Sequence, residues 1–287
     1  MWCWLAALGG GLLLVAALYW LLVLTEGAYL GSGMVTALYN RFARRYDAIK
    51  QFDDEDEAYF LGRPVARFLA DFPTANGQKP WLLDVATGTG RLPLTVLQAS
   101  AGGCAVLALD NSLRMLQQAH AKLEAQGWHD VVLLAANAQP LPFASDQFAV
   151  TACLEALEFM PNPAYMLQEL LRVTQPGGLL MLTNRIGRDA RLMPGRNMTS
   201  SDLNTALRAL GAGAVEVLPW QMDYDLLLAV KQGVALALPE RPWQALLRCP
   251  HCQQPLDAVT GPPAQLICPH CGWTITDQAG LWQAGTR

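Results

Sequence analysis

Residues 2–24 form an uninterrupted apolar run of 23 without a charge. As a helix this run spans about 34 Å, enough to cross a hydrocarbon core of about 30 Å, so a single transmembrane helix is the direct reading. A cleaved signal peptide and a buried core helix compete with it. A signal peptide carries a basic n-region and a shorter apolar core, whereas no basic residue precedes this run and no convincing small-x-small cleavage site follows it. Trp2, Trp4, Tyr19 and Trp20 lie towards its two ends, as aromatic belts do at membrane interfaces. After a small-residue stretch at 27–33, apolar positions from Val35 to Asp47 recur at helical spacing with Arg41, Arg44 and Arg45 among them. That amphipathic pattern suits either a membrane surface or packing on a domain.

From residue 81 the pattern changes to short apolar runs alternating with helical periods. The runs predict seven strands, at 81–85, 105–110, 131–135, 148–154, 179–183, 214–220 and 226–231. Helices are predicted at 58–72, 92–99, 113–124, 163–173 and 201–210. Pro93 sits in a first turn, where proline is tolerated, and Ser112 is placed to cap the helix that follows it. The last two runs are close enough to pair as an antiparallel hairpin. The expected fold is α/β: a Rossmann-like, seven-stranded, mostly parallel sheet with an antiparallel last strand.

Composition narrows this picture only slightly. Hydrophobic residues make up 52% of 287 positions, ample for one α/β domain with appendages. A net charge of −4 speaks against nucleic acid as the main partner. The acidic run 53–57 precedes a predicted helix, where capping and solvation account for it. Of seven cysteines, four fall in two Cys-x-x-Cys pairs, the pattern of a reducing compartment with a metal site.

The chemistry gathers around Trp81-Leu-Leu-Asp-Val-Ala-Thr-Gly-Thr-Gly-Arg91, a buried strand running into a glycine turn and then a helix. Gly88 and Gly90 lack a Cβ where the backbone turns and approaches a ligand. Asp84 ends the strand, the edge at which open α/β sheets bind ligands, and Asp110 closes the next strand 20 residues after Gly90. That is about the spacing at which such a unit delivers an acid to ribose hydroxyls.

Leu83-Asp-Val-Ala-Thr-Gly-Thr-Gly90 and Asp110-Asn-Ser-Leu-Arg-Met-Leu116 closely resemble the first two motifs of class I S-adenosylmethionine-dependent methyltransferases. Asn137-Ala-Gln-Pro-Leu-Pro-Phe143, Glu155-Ala-Leu-Glu158 and Glu169-Leu-Leu-Arg-Val-Thr-Gln-Pro-Gly-Gly178 follow in that family's order, and the resemblance covers roughly 35–235. One departure is Ala86, which stands where the usual first glycine of the loop would be. The resemblance implies S-adenosylmethionine as cofactor. It implies binding by Asp84, Ala86, Gly88 and Gly90 in the loop, by Asp110, Asn111 and Met115 in the second motif, and by Asn137 and Ala138 at the adenine. Glu155, after the fourth strand, faces the methyl group and is a candidate to orient acceptor or sulfonium, with Glu158 the weaker choice. Phe42-Ala-Arg-Arg-Tyr-Asp47 resembles the entry motif of the quinone-biosynthesis C-methyltransferases, which makes Tyr46 and Asp47 candidates for a lid and Tyr46, with Glu155, a candidate catalytic residue. No general base is identified; His120 and His129 read as solvated. Arg185, Arg188, Arg191 and Arg196, in or beside an irregular loop, are candidates to meet an anionic acceptor or to be solvated.

Near the end, Cys249-Pro-His-Cys252 and Cys268-Pro-His-Cys271 are separated by 15 residues, the spacing of a zinc ribbon in which four thiolates close the shell of a structural Zn2+. His251 and His270 are expected to be bystanders. The expected organisation is an anchor at 1–26, linker and lid helices at 27–75, a methyltransferase domain at 76–238 and the ribbon at 243–287. Arg41, Arg44, Arg45 and Lys50 follow the apolar run and no basic residue precedes it, which places the bulk of the chain in the cytoplasm. The expected enzyme is a single-pass membrane methyltransferase whose partners are the lipid bilayer and an amphiphilic small molecule, such as a quinone precursor or lipid. The alternatives are a methyltransferase of RNA or protein presented by the ribbon, and a non-catalytic cofactor-binding scaffold. The ribbon is also open to a protein partner.

Overall fold

Strands buried on both faces read as continuous apolar runs, and the computed structural model builds its central sheet from such runs. It describes residues 2–75, 77–239 and 241–285. Met1 and residues 286–287, the outer ends of the expected anchor and ribbon, lie outside the described residues. In chain order, α1 (Trp2–Tyr19) continues through a π-turn (Trp20–Leu24) and is followed by α2 (Ser32–Phe42), α3 (Tyr46–Lys50), α4 (Asp54–Glu57) and α5 (Arg63–Asp71). Then come β1 (Trp81–Val85), α6 (Arg91–Ala99), β2 (Ala105–Asp110), α7 (Leu113–Ala125), β3 (Val131–Ala135), β4 (Phe148–Cys153), α8 (Pro163–Val173) and β5 (Thr174–Arg185). The chain continues with α9 (Gly187–Arg191), α10 (Ser200–Ala209), β6 (Ala212–Trp220) and β7 (Tyr224–Lys231), and ends in β8 (Asp257–Val259), β9 (Gln265–Ile267), β10 (Thr274–Gln278) and β11 (Leu281–Ala284).

The sheet has 11 strands, not the expected seven, in the order β6-β7-β5-β4-β1-β2-β3-β11-β10-β9-β8. β1 to β5 are parallel, and β7 runs antiparallel between β5 and β6. The four additional strands belong to the C-terminal segment. β11 joins β3 in parallel, pairing Leu281 with Leu133, Trp282 with Leu134 and Gln283 with Ala135. An open β3 would present a row of unpaired backbone groups, and β11 satisfies them. Phe143 bridges Leu247, and Leu246, Trp273 and Ile275 join one buried cluster with Leu134 and Leu141, so the ribbon shares the main core.

Side-chain alternation along β1 divides that core. Leu83 and Val85 face α8, α10 and the ribbon, while Leu82 packs with Val65, Val96 and Leu116 of α5, α6 and α7. Asp53 caps α4 by accepting the N–H groups of Glu55 (2.9 Å) and Asp56 (3.1 Å), and Ser112 caps α7 by accepting that of Met115 at 3.2 Å.

The helix from Trp2 to Leu24 is long and apolar enough to cross a membrane, and it lies against none of the core. A core helix would be covered. In its last turn Trp20 Nε1 donates to Leu192 O (3.0 Å), and beyond it Tyr29 OH donates to Pro194 O (2.7 Å) and Arg196 Nη2 to Ala28 O (2.6 Å), so the end of the helix and the segment after it are tied to the loop beyond β5.

Candidate functional site

At the carboxyl ends of β1 and β2 the backbone turns through Ala86 (φ +58°), Gly88 (φ +56°) and Gly90 (φ +78°). Ala86 is the one non-glycine of the three, and the left-handed region costs an L residue roughly 1 kcal/mol, strain of the kind that gathers at binding sites. A Cβ on Gly88 would meet nothing within 4 Å, whereas one on Gly90 would stand 3.0 Å from Ala119 Cβ. The first glycine therefore opens onto free space and the second seats α6 against α7.

Free space at Gly88 belongs to a cleft of about 120 Å³. Ala86, Gly88, Asp110, Asn111, Asn137, Ala138 and Glu155 all line it. Thr36, Tyr39 and Tyr46, from α2 and α3, complete the wall. A smaller lobe of about 40 Å³ shares Tyr46, Ala86, Gly88 and Glu155 and adds Asp84 and Arg91. Of the sequence-predicted residues, Gly90 and Met115 line neither space. Met115 is fully buried, because the first turn of α7 points it into the core.

Asp110 accepts the Gly88 N–H on Oδ2 (2.8 Å) and the Ser112 N–H on Oδ1 (2.7 Å), so one carboxylate holds the loop and starts the next helix. Burial raises its pKa, against the opposing effect of these backbone bonds. Asp84 accepts the Thr87 hydroxyl at 2.6 Å, and burial pushes its carboxyl up to about 7. Asn137 Oδ1 accepts the Gln139 N–H at 3.1 Å, shaping its own turn while lining the cleft.

Glu155 is held differently. Burial works to raise its pKa, but Arg91 (2.9 Å) and Lys50 (2.7 Å) outweigh that and leave it lowered. Arg91 also reaches Glu57, at 3.2 Å, and its guanidinium lies 4.3 Å from the centre of the Phe52 ring. Lys50, Arg91 and Glu57 escaped sequence reasoning: Lys50 lies 105 residues from Glu155, and neither charge stands out in its own segment. The acidic run is therefore more than a capped, solvated stretch, since Glu57 is buried. Glu158 faces away from the cleft, in a buried cluster with Arg185 Nε (2.8 Å) and Tyr224 OH (2.7 Å). Arg185 is thus an internal partner and not a loop cation, Arg196 donates to Met160 O and Ala28 O, and Arg188 is solvated.

The segment 32–50 bears on this site through polar contacts. Asn111 Nδ2 donates to Thr36 Oγ1 (2.8 Å), Ser112 Oγ to Asn40 Oδ1 (2.8 Å) and Thr89 Oγ1 to Asp47 Oδ1, while Lys122 pairs with Asp47 at 2.8 Å. Burial, with Glu155 nearby, raises the pKa of the Tyr46 hydroxyl, which stays neutral.

The four cysteine sulfurs lie within 4.8 Å of one another, with Cys249 to Cys271 at 3.3 Å and Cys252 to Cys268 at 3.4 Å. A tetrahedral Zn–S shell of about 2.3 Å has edges near 3.8 Å, so these four thiols fit one zinc ion. His251 and His270 are exposed and outside this group.

Among known proteins, a family described as a methyltransferase domain matches residues 83–182. The chain is 35% identical over 97 residues to the demethylmenaquinone methyltransferase of Geobacillus stearothermophilus, covering 34% of this chain and 42% of that protein. It is 32% identical over 148 residues to that of Renibacterium salmoninarum, covering 52% and 57%. The matched part is thus about half the length of these curated relatives. In fold it resembles the cyclase SpnF (TM-score 0.53, 20% identity, 70% of this chain and 96% of that one) and the CurJ carbon methyltransferase (TM-score 0.52, 14% identity, 61% and 54%). Residues 83–182 match a methyltransferase domain, and the chain carries them on an α/β fold shared with the CurJ carbon methyltransferase.

Proposed function

We propose that the chain transfers a methyl group from S-adenosylmethionine to an amphiphilic small molecule, such as a quinone precursor or a lipid, while anchored in a membrane by α1. The observation that carries this reading is the cleft itself: it is open at Gly88, holds Asp110, and has Tyr46 in its wall from the segment that follows an uncovered apolar helix. The demethylmenaquinone methyltransferases among its relatives support a quinone-like acceptor.

When bound, S-adenosylmethionine supplies a methyl group on a sulfonium, which leaves without acid assistance. Each Asp110 oxygen uses one acceptor site on a backbone N–H and keeps capacity for a ribose hydroxyl. Asn137 offers donor and acceptor to the adenine, with the Ala138 backbone beside it. Asp84, its carboxyl pushed up to about 7, and Glu155, already paired with Arg91 and Lys50, line the methionine end, and Ala86 and Asn111 shape the walls. Gly90 and Met115 support the loop and α7 from behind. Tyr46 and its helix exclude water and align the acceptor, the main contribution such a displacement needs. Glu155, engaged with two cations, is a positioning group and not a base. An acidic carbon or phenol as acceptor reduces the demand for one.

Arg41, Arg44 and Arg45 favour a cytoplasmic domain, and anchoring raises the effective concentration at a bilayer-dissolved acceptor. The ribbon holds a structural zinc and offers its exposed β8 edge to a protein partner. The acidic balance disfavours nucleic acid. The test is to incubate full-length protein with methyl-labelled S-adenosylmethionine and a membrane-containing extract, then partition the label. Label in the organic phase, lost in Asp110→Ala, supports the reading. Label only in protein or RNA favours presentation by the ribbon, and cofactor binding without transfer favours a scaffold.

A further inference from the structure

A second cavity, of about 410 Å³, opens where α1 ends. Its outer walls are Leu22 and Val23 from the last turn of the apolar helix, Leu38 and Phe42 from α2, and Ile49 from α3. Val23, Phe42 and Ile49 are 54%, 49% and 61% exposed. Large apolar side chains left open side by side mark a binding surface more than isolated ones do. The inner end is chemically different. There Tyr39 OH donates to Glu26 Oε2 at 2.9 Å, Tyr39 and Tyr46 lie with ring centres 5.9 Å apart, and Lys50 closes the corner.

Tyr39 and Tyr46 line both this crevice and the cofactor cleft, so the two spaces share a two-tyrosine wall. The crevice therefore runs from the end of a membrane-length helix to the back of the two rings that also wall the cofactor cleft. A molecule that is hydrocarbon along its length and polar at one end matches that gradient: its tail replaces bilayer contacts by Leu22, Val23, Phe42 and Ile49, and its head meets Glu26 and Tyr39. A water-soluble acceptor leaves the apolar walls unexplained, and a polypeptide exceeds the volume.

We infer that this crevice takes the hydrocarbon tail of the acceptor, entering sideways from the membrane, with the Glu26–Tyr39 pair receiving a hydroxyl of its head group. The inference rests on α1 spanning the bilayer with an amphiphilic acceptor, and adds the place where that acceptor is held.

The probe is a long-chain alkylphenol with a diazirine on its tail, used on the full-length protein in phosphatidylcholine nanodiscs and read by peptide mapping. Crosslinks are expected to concentrate at 22–23 and 38–49. Phe42→Glu and Ile49→Trp, at exposed positions, should reduce them roughly tenfold, the equivalent of about two lost methylene burials. S-adenosylmethionine affinity and melting temperature should stay as in the wild type. Crosslinks spread along 5–18 and indifferent to both substitutions would overturn the assignment. Crevice labelling without any methyl transfer keeps the tail site and removes the enzymatic reading. Methyl transfer to the alkylphenol with a KM unmoved by either substitution keeps the enzyme and removes the tail site.

Discussion

The two loop glycines separate binding from folding, and one methyl group at each position tests this. At Gly88 the added Cβ meets no atom within 4 Å, so the only folded-state penalty is the left-handed φ of +56°, about 1 kcal/mol for alanine. The narrower unfolded ensemble of alanine offsets about half of that. Net destabilisation for Gly88→Ala is then about 0.5 kcal/mol, a shift of roughly 1–2 °C for a domain of this size. At Gly90 the same backbone penalty applies at φ +78°, and the new methyl stands 3.0 Å from Ala119 Cβ, between two packed helices. Overpacking adds about 1–3 kcal/mol, for a total near 2–3 kcal/mol and a melting temperature lower by roughly 4–10 °C. Binding should move the other way. The Gly88 methyl projects into the cleft beside Asp110, so S-adenosylmethionine affinity by titration calorimetry should fall at least tenfold, while Gly90→Ala, measured well below its melting temperature, should lose no more than a few-fold. Wild-type affinity in Gly88→Ala would refute the location of the cofactor at this loop, whatever the stability data say.

Three further outcomes follow from the charges and thiols. The Asp84 carboxyl is about 3.8 in the unfolded chain and about 7 when folded. Between those values the folded state holds the extra proton, so its contribution to stability is present below about 4 and is lost as pH rises to about 7. Asp84→Asn should therefore melt at a temperature that gains on wild type across pH 4–7, and a constant difference would contradict the burial argument. Lys50→Met removes one of two cations on Glu155 and one tie of the segment 32–50. The pair is largely buried, with side-chain exposures of 28% and 5%, and removing one partner of such a pair is costly, so cofactor dissociation in stopped flow should quicken at least about fivefold, and an unchanged rate would show that the other ties suffice. Chelation, or Cys268→Ser, should release one zinc per chain and speed amide exchange at Leu133, Leu134 and Ala135, which β11 covers. Protection that survives zinc loss would mean the ribbon strands hold without the ion.

What could be read from the sequence follows the range of the interactions. Strands buried on both faces announce themselves as apolar runs, and a loop of positive φ announces itself by its glycines, so Ala86 and Gly88 after β1 and Asp110 and Asn111 at the end of β2 are legible as the ends of neighbouring strands. Gly90 and Met115 share those motifs yet point into packing, because a helix's first turn alternates between the cleft and the core and the sequence marks no boundary between them. The Glu155 partners are 64 and 105 residues away, and Glu158 meets Tyr224 across 66. Such pairings have no local signature. The length of the sheet was hidden for another reason. β8 and β9 have only three residues each, and their pairing is set by backbone groups and by the knuckles, not by a run of apolar side chains.

β11 meets β3 at a place that bears on the cleft. Its pairing ends at Ala135, where the Asp110 strand also ends its register with β3, and the next amide, Ala136 N–H, donates to Asp110 O at 3.1 Å. Asn137 and Ala138 follow directly. These two residues of the cleft therefore hang from a strand that would otherwise be the sheet's free edge, where backbone fraying is least opposed. The ribbon replaces that edge with an interior strand and moves the free edge to β8, four strands further out. A zinc ion held by the four cysteines would need no open coordination position to matter for the cleft: it would fix β11, which pairs with the last residues of β3 before Asn137.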